Sequence, residues 1–337
     1  MKLNSIQVMR GVAALLVVFY HACQIVSKEK YFNQTSFEQI FQFGHAGVDF
    51  FFVLSGFIIY YVHKDWIGKP HKVKEYLLKR FIRIYPLYWC IFILLIPMVY
   101  LVRGLPDFFS MVKAFFLLEH QMIVYVAWTL VHEVLFYLIF VVLLINKRIG
   151  TLVMTAWLAA ILISNFDKLM FHDWFEPMGN YLLSPYNLHF FFGLFTAILV
   201  HKYNKVFINN GLQFGFIGMA LFLTAGFIEL KYEDVYPYLI FGLSSSVLIL
   251  GVTSYELNNK LAINRFLILI GSASYSIYLV HSPVQSAFAK LSVSLGLTNV
   301  LNVFPAFILA SFISILTGLV VYKYMELPLL KLRRFIN

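Results

Sequence analysis

The chain is 337 residues long, 61% hydrophobic and only 12% charged, with a mean hydropathy of +0.80. No soluble domain of that size buries so much apolar surface, so the composition implies a polytopic membrane protein and excludes a soluble globular enzyme. The net charge of +10 suits basic residues gathered on the cytoplasmic side of a bilayer better than it suits a nucleic-acid surface.

The first apolar segment, QVMRGVAALLVVFYHACQIV, contains Arg10 and His21. Their separation is close to three helical turns, so the two share nearly one face, about 16 Å apart along the axis. Each costs a few kcal/mol in lipid unless it faces a polar interior, so this helix is expected to line a site. The two charges interrupt the apolar run and no small-x-small cleavage site follows, which argues against a cleaved signal peptide.

Spans are expected near residues 7–27, 44–63, 84–102, 127–145, 150–164, 186–201, 211–228, 237–254, 265–288 and 301–322, with 105–118 a partial or interfacial helix. With the N-terminus inside, only Lys28, Lys30, Arg103, Lys113, Lys168, Lys231 and Lys290 fall outside, the asymmetry that membrane insertion favours. The expectation is therefore all-α: about ten transmembrane helices, both termini cytoplasmic. No repeat, low-complexity tract or linker divides the chain, so one membrane domain is expected over 1–337. Cys23 and Cys90 fall in different spans and read as unpaired core residues.

At about 1.5 Å per residue, four ionisable groups reach the outer half of the bilayer. His21 lies about 21 Å from the inner end of the first span, and His281 about 24 Å up the ninth. Asp49 lies about 8 Å, and Glu133 about 9 Å, from the outer ends of the second and fourth. His21 reads either as a core histidine or as a general base, for which imidazole is suited by its titration near neutral pH. Glu133 reads as an interfacial carboxylate or as the group that orients His21. Asp49 reads as a helix cap or a second orienting carboxylate, and His281 as packing or ligand contact. His45, His120 and His132 also fall near the outer face. This His/Asp/Glu set leaves a metal site open, but no pair has the HxxxH-type spacing that would make it strong, and the expectation is no metal. The outer loop near 165–185 carries Asp167, Asp173 and Glu176 beside Trp174, Phe175 and Tyr181. That mixture suits a sugar-contacting surface or an interfacial aromatic belt.

On the inner side, KRFIRIYPLYW places Arg80 and Arg83 three residues apart on one helix face at the membrane boundary. Arginine forks suit phosphate oxygens, and the basic stretch 64–83 would attract a polyanion such as coenzyme A. The same residues would serve as a topology anchor, with Tyr85, Tyr88 and Trp89 as its aromatic belt.

Taken in order, LNSIQVMRGVAALLVVFYHA, GVDFFFVLSGFII, RFIRIYPLYW, WTLVHEVLFY, SYSIYLVHSP and MELP resemble the acyltransferase-3 family of integral-membrane acyltransferases, over nearly the whole chain. The resemblance implies ten helices in the bacterial inner membrane, and acylation of sugars of lipopolysaccharide, exopolysaccharide and related glycans. It implies His21 in acyl transfer and an arginine pair, Arg80 and Arg83, at the acyl-CoA entrance. Thr129 stands where the helix-4 motif often has Ser, keeping the hydroxyl. The similarity is to the single-domain, exopolysaccharide O-acetyltransferase branch, with the expectation that transfer is completed unaided.

The combined expectation is an O-acyltransferase carrying an acyl group, acetyl by resemblance, from cytoplasmic acetyl-CoA as co-substrate to a sugar hydroxyl of a glycan or lipid-linked sugar. No cofactor is expected to be bound. His21, Glu133 and Asp49 are the expected catalytic residues. Arg10, Arg80, Arg83, Trp128, Ser274, Tyr278 and His281 are the expected substrate contacts, with Arg10 on the oxyanion or on the phosphate-bearing carrier. Intramembrane His, Arg and Glu would equally suit a proton-coupled transporter of a lipid-linked sugar or organic anion, although paired inverted halves are not visible.

Overall fold

The computed structural model describes residues 3–118, 123–166, 181–207, 209–232, 237–259, 261 and 263–332. Its helices are α1 (Asn4–Val26), α2 (Gly47–His63), α3 (Val73–Arg103), α4 (Phe108–Phe115), α5 (Trp128–Ile145) and α6 (Lys147–Ser164). They continue with α7 (Asn187–Phe207), α8 (Gly211–Lys231), α9 (Tyr238–Asn258), α10 (Arg265–Ser272), α11 (Ser274–Ser294) and α12 (Val303–Val321). A 3-10 segment, Thr35–Ala46, leads into α2. Among the described residues eight helices are long and apolar enough to cross a membrane, and α10 with α11, bent by 66°, makes a ninth. The architecture is all-α and polytopic, with eight or nine membrane-crossing helices among the described residues against the ten expected. Cys23 and Cys90 are both free thiols.

One end of the bundle is basic. The Glu256 carboxylate on α9 accepts hydrogen bonds from Asn4 N at 2.7 Å and Ser5 N at 3.0 Å, capping the start of α1 with negative charge where the helix dipole favours it. At the same end Gly68 N donates to Leu143 O, tying the α2–α3 connection to the last turn of α5. Lys64, Lys69, Lys72, Lys147 and Arg148 gather at or beside these termini.

Close helix crossings replace hydrophobic pressure, which lipid does not supply. A Cβ on Gly56 of α2 would run into the Phe190 carbonyl of α7, and one on Gly193 of α7 into the Val53 carbonyl of α2. This reciprocal contact brings α2 into the middle of the bundle, with Phe52, Phe136 and Phe190 packed around it.

Two expected spans need correction, and both carry candidate site residues. The third helix starts at Val73 rather than near 84, because the amphipathic basic turn continues the helix instead of ending at a boundary. Arg80 and Arg83 therefore lie about 10 and 15 Å along α3, inside the protein. The segment expected as one span over 265–288 is broken at Ala273 (φ −84°, ψ 0°). Its first half is pulled against α1, where a Cβ on Gly271 would strike the Gln7 carbonyl. His281 consequently stands about 10 Å into α11, not 24 Å up a continuous rod.

Candidate active site

Helices α1, α2, α3, α5 and α11 surround a cavity with about 820 Å³ of empty space, its open mouth included. Arg10, Arg80, Arg83, Glu133, Ser55, Thr129, Tyr137, Ser274 and Tyr278 are among its walls. Arg83 donates to the buried carboxylate of Glu326, which also accepts from Ser276 Oγ at 2.6 Å. Arg80 lies over the Tyr137 ring at 5.6 Å and Arg83 over Tyr275 at 5.2 Å, stacking that suits weakly hydrated guanidinium groups. Arg80 Nε and Arg83 Nη2 are buried and donate to no partner among the described residues. Three guanidinium groups face two carboxylates here, so the cavity is net positive with donors in reserve, and an anion is the ligand it fits.

Glu133 is assigned differently from the sequence expectation. It accepts from Ser55 Oγ at 2.8 Å and from the Tyr137 hydroxyl one turn along the same helix. It therefore belongs with the arginines, facing Ser55 halfway along α2, and does not orient His21. Asp49 is fully buried, with one carboxylate oxygen 3.2 Å from His189 Nδ1. It is neither a cap at a solvent mouth nor the carboxylate that sets the His21 tautomer. The four groups expected in one layer thus divide among three places, because rise per residue along ideal spans ignored where each helix starts and bends.

His21 and His281 do meet. His281 Nδ1 lies 2.6 Å from the Tyr278 carbonyl, an acceptor only, so this nitrogen carries the proton of the neutral ring. His281 Nε2 is then an acceptor, 3.3 Å from His21 Nδ1. His21 Nδ1 also lies 3.0 Å from the Val17 carbonyl, again an acceptor only. Both partners require Nδ1–H on His21, which leaves the lone pair on His21 Nε2. The backbone and a second imidazole thus fix His21 in the tautomer that carboxylates were expected to fix. The cavity and the histidine pair share a wall: Tyr278 lines the cavity, its hydroxyl 3.0 Å from Thr129 Oγ1, while its carbonyl holds His281.

Of the other expected contacts, Ser274 lines the cavity with its buried Oγ bonded to nothing among the described residues. Trp128 packs against Tyr186 and Phe52 instead of the cavity. His45 is paired with Glu229 at 2.6 Å, and His132 Nδ1 lies 3.1 Å from Asn187 Oδ1. His120, and Asp167, Asp173, Trp174, Phe175 and Glu176 of the outer loop, lie outside the described residues. Among the described residues no three His, Cys, Asp or Glu side chains are grouped as metal ligands would be.

The sequence of an acyltransferase domain matches this chain over residues 3–323. The chain belongs to the acyltransferase-3 family. A relative, the exopolysaccharide production protein ExoZ of Rhizobium meliloti (strain 1021), is 28% identical over 309 residues, covering 86% of this chain and 91% of that protein. No solved structure matches. The protein is thus a multi-pass membrane acyltransferase, and family membership favours an enzyme over the transporter alternative.

Ser55, Tyr137, Glu326 and Glu229 were not read as site residues from the sequence. Ser55 sits inside the GVDFFFVLSGFII run, and Tyr137 is four residues from Glu133, on its helix face. Those spacings were legible signals. Glu229 had none, since its partner is 184 residues away.

Proposed function

We propose that the protein is an O-acetyltransferase of the bacterial inner membrane that moves an acetyl group from acetyl-CoA to a sugar hydroxyl of an exported glycan. Two separate features carry this reading: an arginine-rich cavity suited to a phosphate-bearing donor, and a histidine beside it with a defined basic nitrogen. The name of the ExoZ relative supports an exopolysaccharide as acceptor. The basic end would face the cytoplasm, placing both termini there.

In this scheme Arg80, Arg83 and Arg10 hold the anionic part of the donor, since all three line one cavity. Arg10 then serves the carrier and not the oxyanion, because His21 is about 16 Å farther along α1. The pantetheine arm reaches past Tyr278 toward His21; extended chains gain about 3.3–3.6 Å per residue-length of backbone, so an arm of a few such units spans the gap. His21 Nε2 takes the proton of the acceptor hydroxyl as its oxygen attacks the thioester carbonyl. The C–S bond breaks, and the proton passes from His21 to the departing thiolate. The products are the sugar ester and free CoA.

The test is transfer of label from [14C]acetyl-CoA to deacylated polysaccharide by the purified protein in vesicles of known orientation. Transfer is expected only with donor at the basic end and acceptor at the opposite one. Transfer that needs both substrates on one side refutes the through-membrane arrangement, and CoA release without any acylated product refutes the acceptor class.

A further inference from the structure

Outside the cavity, one buried ion pair stands next to the proposed base. Glu229 lies in the last turn of α8, 2% exposed, where the helix dipole disfavours a negative charge. Its Oε1 is 2.6 Å from His45 Nε2, and its Oε2 is buried and accepts no hydrogen bond among the described residues. Buried carboxylate oxygens are ordinarily satisfied, so an unfilled one in an unfavourable position points to a ligand.

The fold builds this arrangement from two close contacts. A Cβ on Gly44 would come within 2.6 Å of the Leu16 carbonyl, so the 3-10 segment lies directly on α1 and sets His45 beside Tyr20. A Cβ on Gly226 would come within 2.8 Å of the Phe43 ring, so α8 also presses on the 3-10 segment and brings Glu229, one turn on, to His45. The Tyr20 ring bridges the two sites, 5.0 Å from His21 and 5.5 Å from His45 between ring centres. Tyr125, 45% exposed, stands 6.2 Å from His21 between ring centres. His21, Tyr20 and His45 are each partly exposed. Partly exposed rings run from His21 through Tyr20 to His45, and His45 leads to a carboxylate with an unused acceptor: apolar faces for the C–H bonds of a polyhydroxylated ring and an oxygen for one of its O–H groups.

We propose that Tyr20, His45, Tyr125 and Glu229 form the acceptor subsite, in which Glu229 Oε2 accepts a hydrogen bond from a sugar hydroxyl neighbouring the one acylated. This rests on the reading of His21 as the base of acyl transfer. The covalent step is unchanged; the subsite sets which hydroxyl faces His21 Nε2.

The test compares the full-length wild type with Glu229→Gln, Glu229→Asp and His45→Gln, using [14C]acetyl-CoA and alkali-deacylated polysaccharide from the host, with CoA affinity measured separately. Glu229→Gln and His45→Gln should raise the KM for polysaccharide by about tenfold, the scale of one lost hydrogen bond to a charged group. CoA affinity should stay within about twofold of wild type, since uniform donor binding does not involve these groups, and Glu229→Asp should be intermediate. An unchanged acceptor KM overturns the proposal, as does a fall in kcat alone. Loss of CoA affinity together with transfer also overturns it, making the pair a structural clamp. A wild type that binds CoA yet acylates no polysaccharide removes the acceptor subsite while leaving the donor site; a wild type that binds no CoA removes the reading beneath it.

Discussion

The arginine cavity and the histidine pair are adjacent but differ in kind. In the cavity, charge faces charge: Arg83 is locked to Glu326, Arg80 is stacked on Tyr137, and donors remain unspent. At the pair, two imidazoles are held by backbone carbonyls, and His21 presents a lone pair and no charge partner among these bonds. Charge in a low-dielectric cavity grips an anion in ground state and transition state alike. A neutral ring of fixed tautomer grips little, yet can take a proton when one is released. On the function proposed above, the contrast separates holding the donor from carrying out the chemistry, and substitutions on each side should fail in different ways.

The largest effect is expected at His21. His21→Ala should lower turnover by about 10²–10⁴-fold, the range of a lost general base, with the protein still inserted; transfer near wild-type rate in a well-expressed variant would break the division. His281→Ala should cost less, because the Val17 carbonyl alone still holds the His21 tautomer.

Arg83→Ala comes next, and its effect should be structural. It leaves the Glu326 carboxylate, 1% exposed, without its ionic partner, a change that typically costs about 3–5 kcal/mol. Thermal unfolding in detergent should show the loss. The double substitution Arg83→Met with Glu326→Gln should recover much of the stability but not donor binding, separating the two roles of this arginine.

Arg80→Ala should spare stability, since its guanidinium is stacked on Tyr137 and makes no ion pair among the described residues, and should weaken donor affinity by about 1.5–3 kcal/mol, the worth of hydrogen bonds to a charged group. Added salt should weaken binding in wild type as well, because attraction by partly exposed cations is screened. Tyr278→Phe is the mildest. It removes the hydroxyl facing Thr129 and should cost about 1 kcal/mol, read as a small drop in melting temperature with donor KM little altered.

Much of the fold was legible because it depends on composition and period. Long apolar runs and the placement of Lys and Arg announce helices and ends without reference to partners. The intramembrane Arg10 and His21 announced a site for the same reason, since lipid penalises them wherever they lack company. Partners themselves were not legible. Asp49 went to His189 across the α2–α7 crossing set by Gly56 and Gly193, and Glu133 to Ser55 across the separate α2–α5 contact, neither of which a rise-per-residue estimate contains. Arg80 and Arg83 looked like a boundary because their neighbours are basic, although α3 carries them inward past the ends of the bundle. The break at Ala273 was hidden in a run that reads as one continuous span, yet His281 still meets His21 as their similar expected heights implied.

Equilibrium CoA binding to purified His21→Ala, measured beside Arg80→Ala and the wild type, tests the separation of donor grip from chemistry most directly. The account predicts wild-type affinity in His21→Ala, which transfers nothing, and weakened affinity in Arg80→Ala. Loss of CoA binding in His21→Ala, or full affinity in Arg80→Ala, would contradict it.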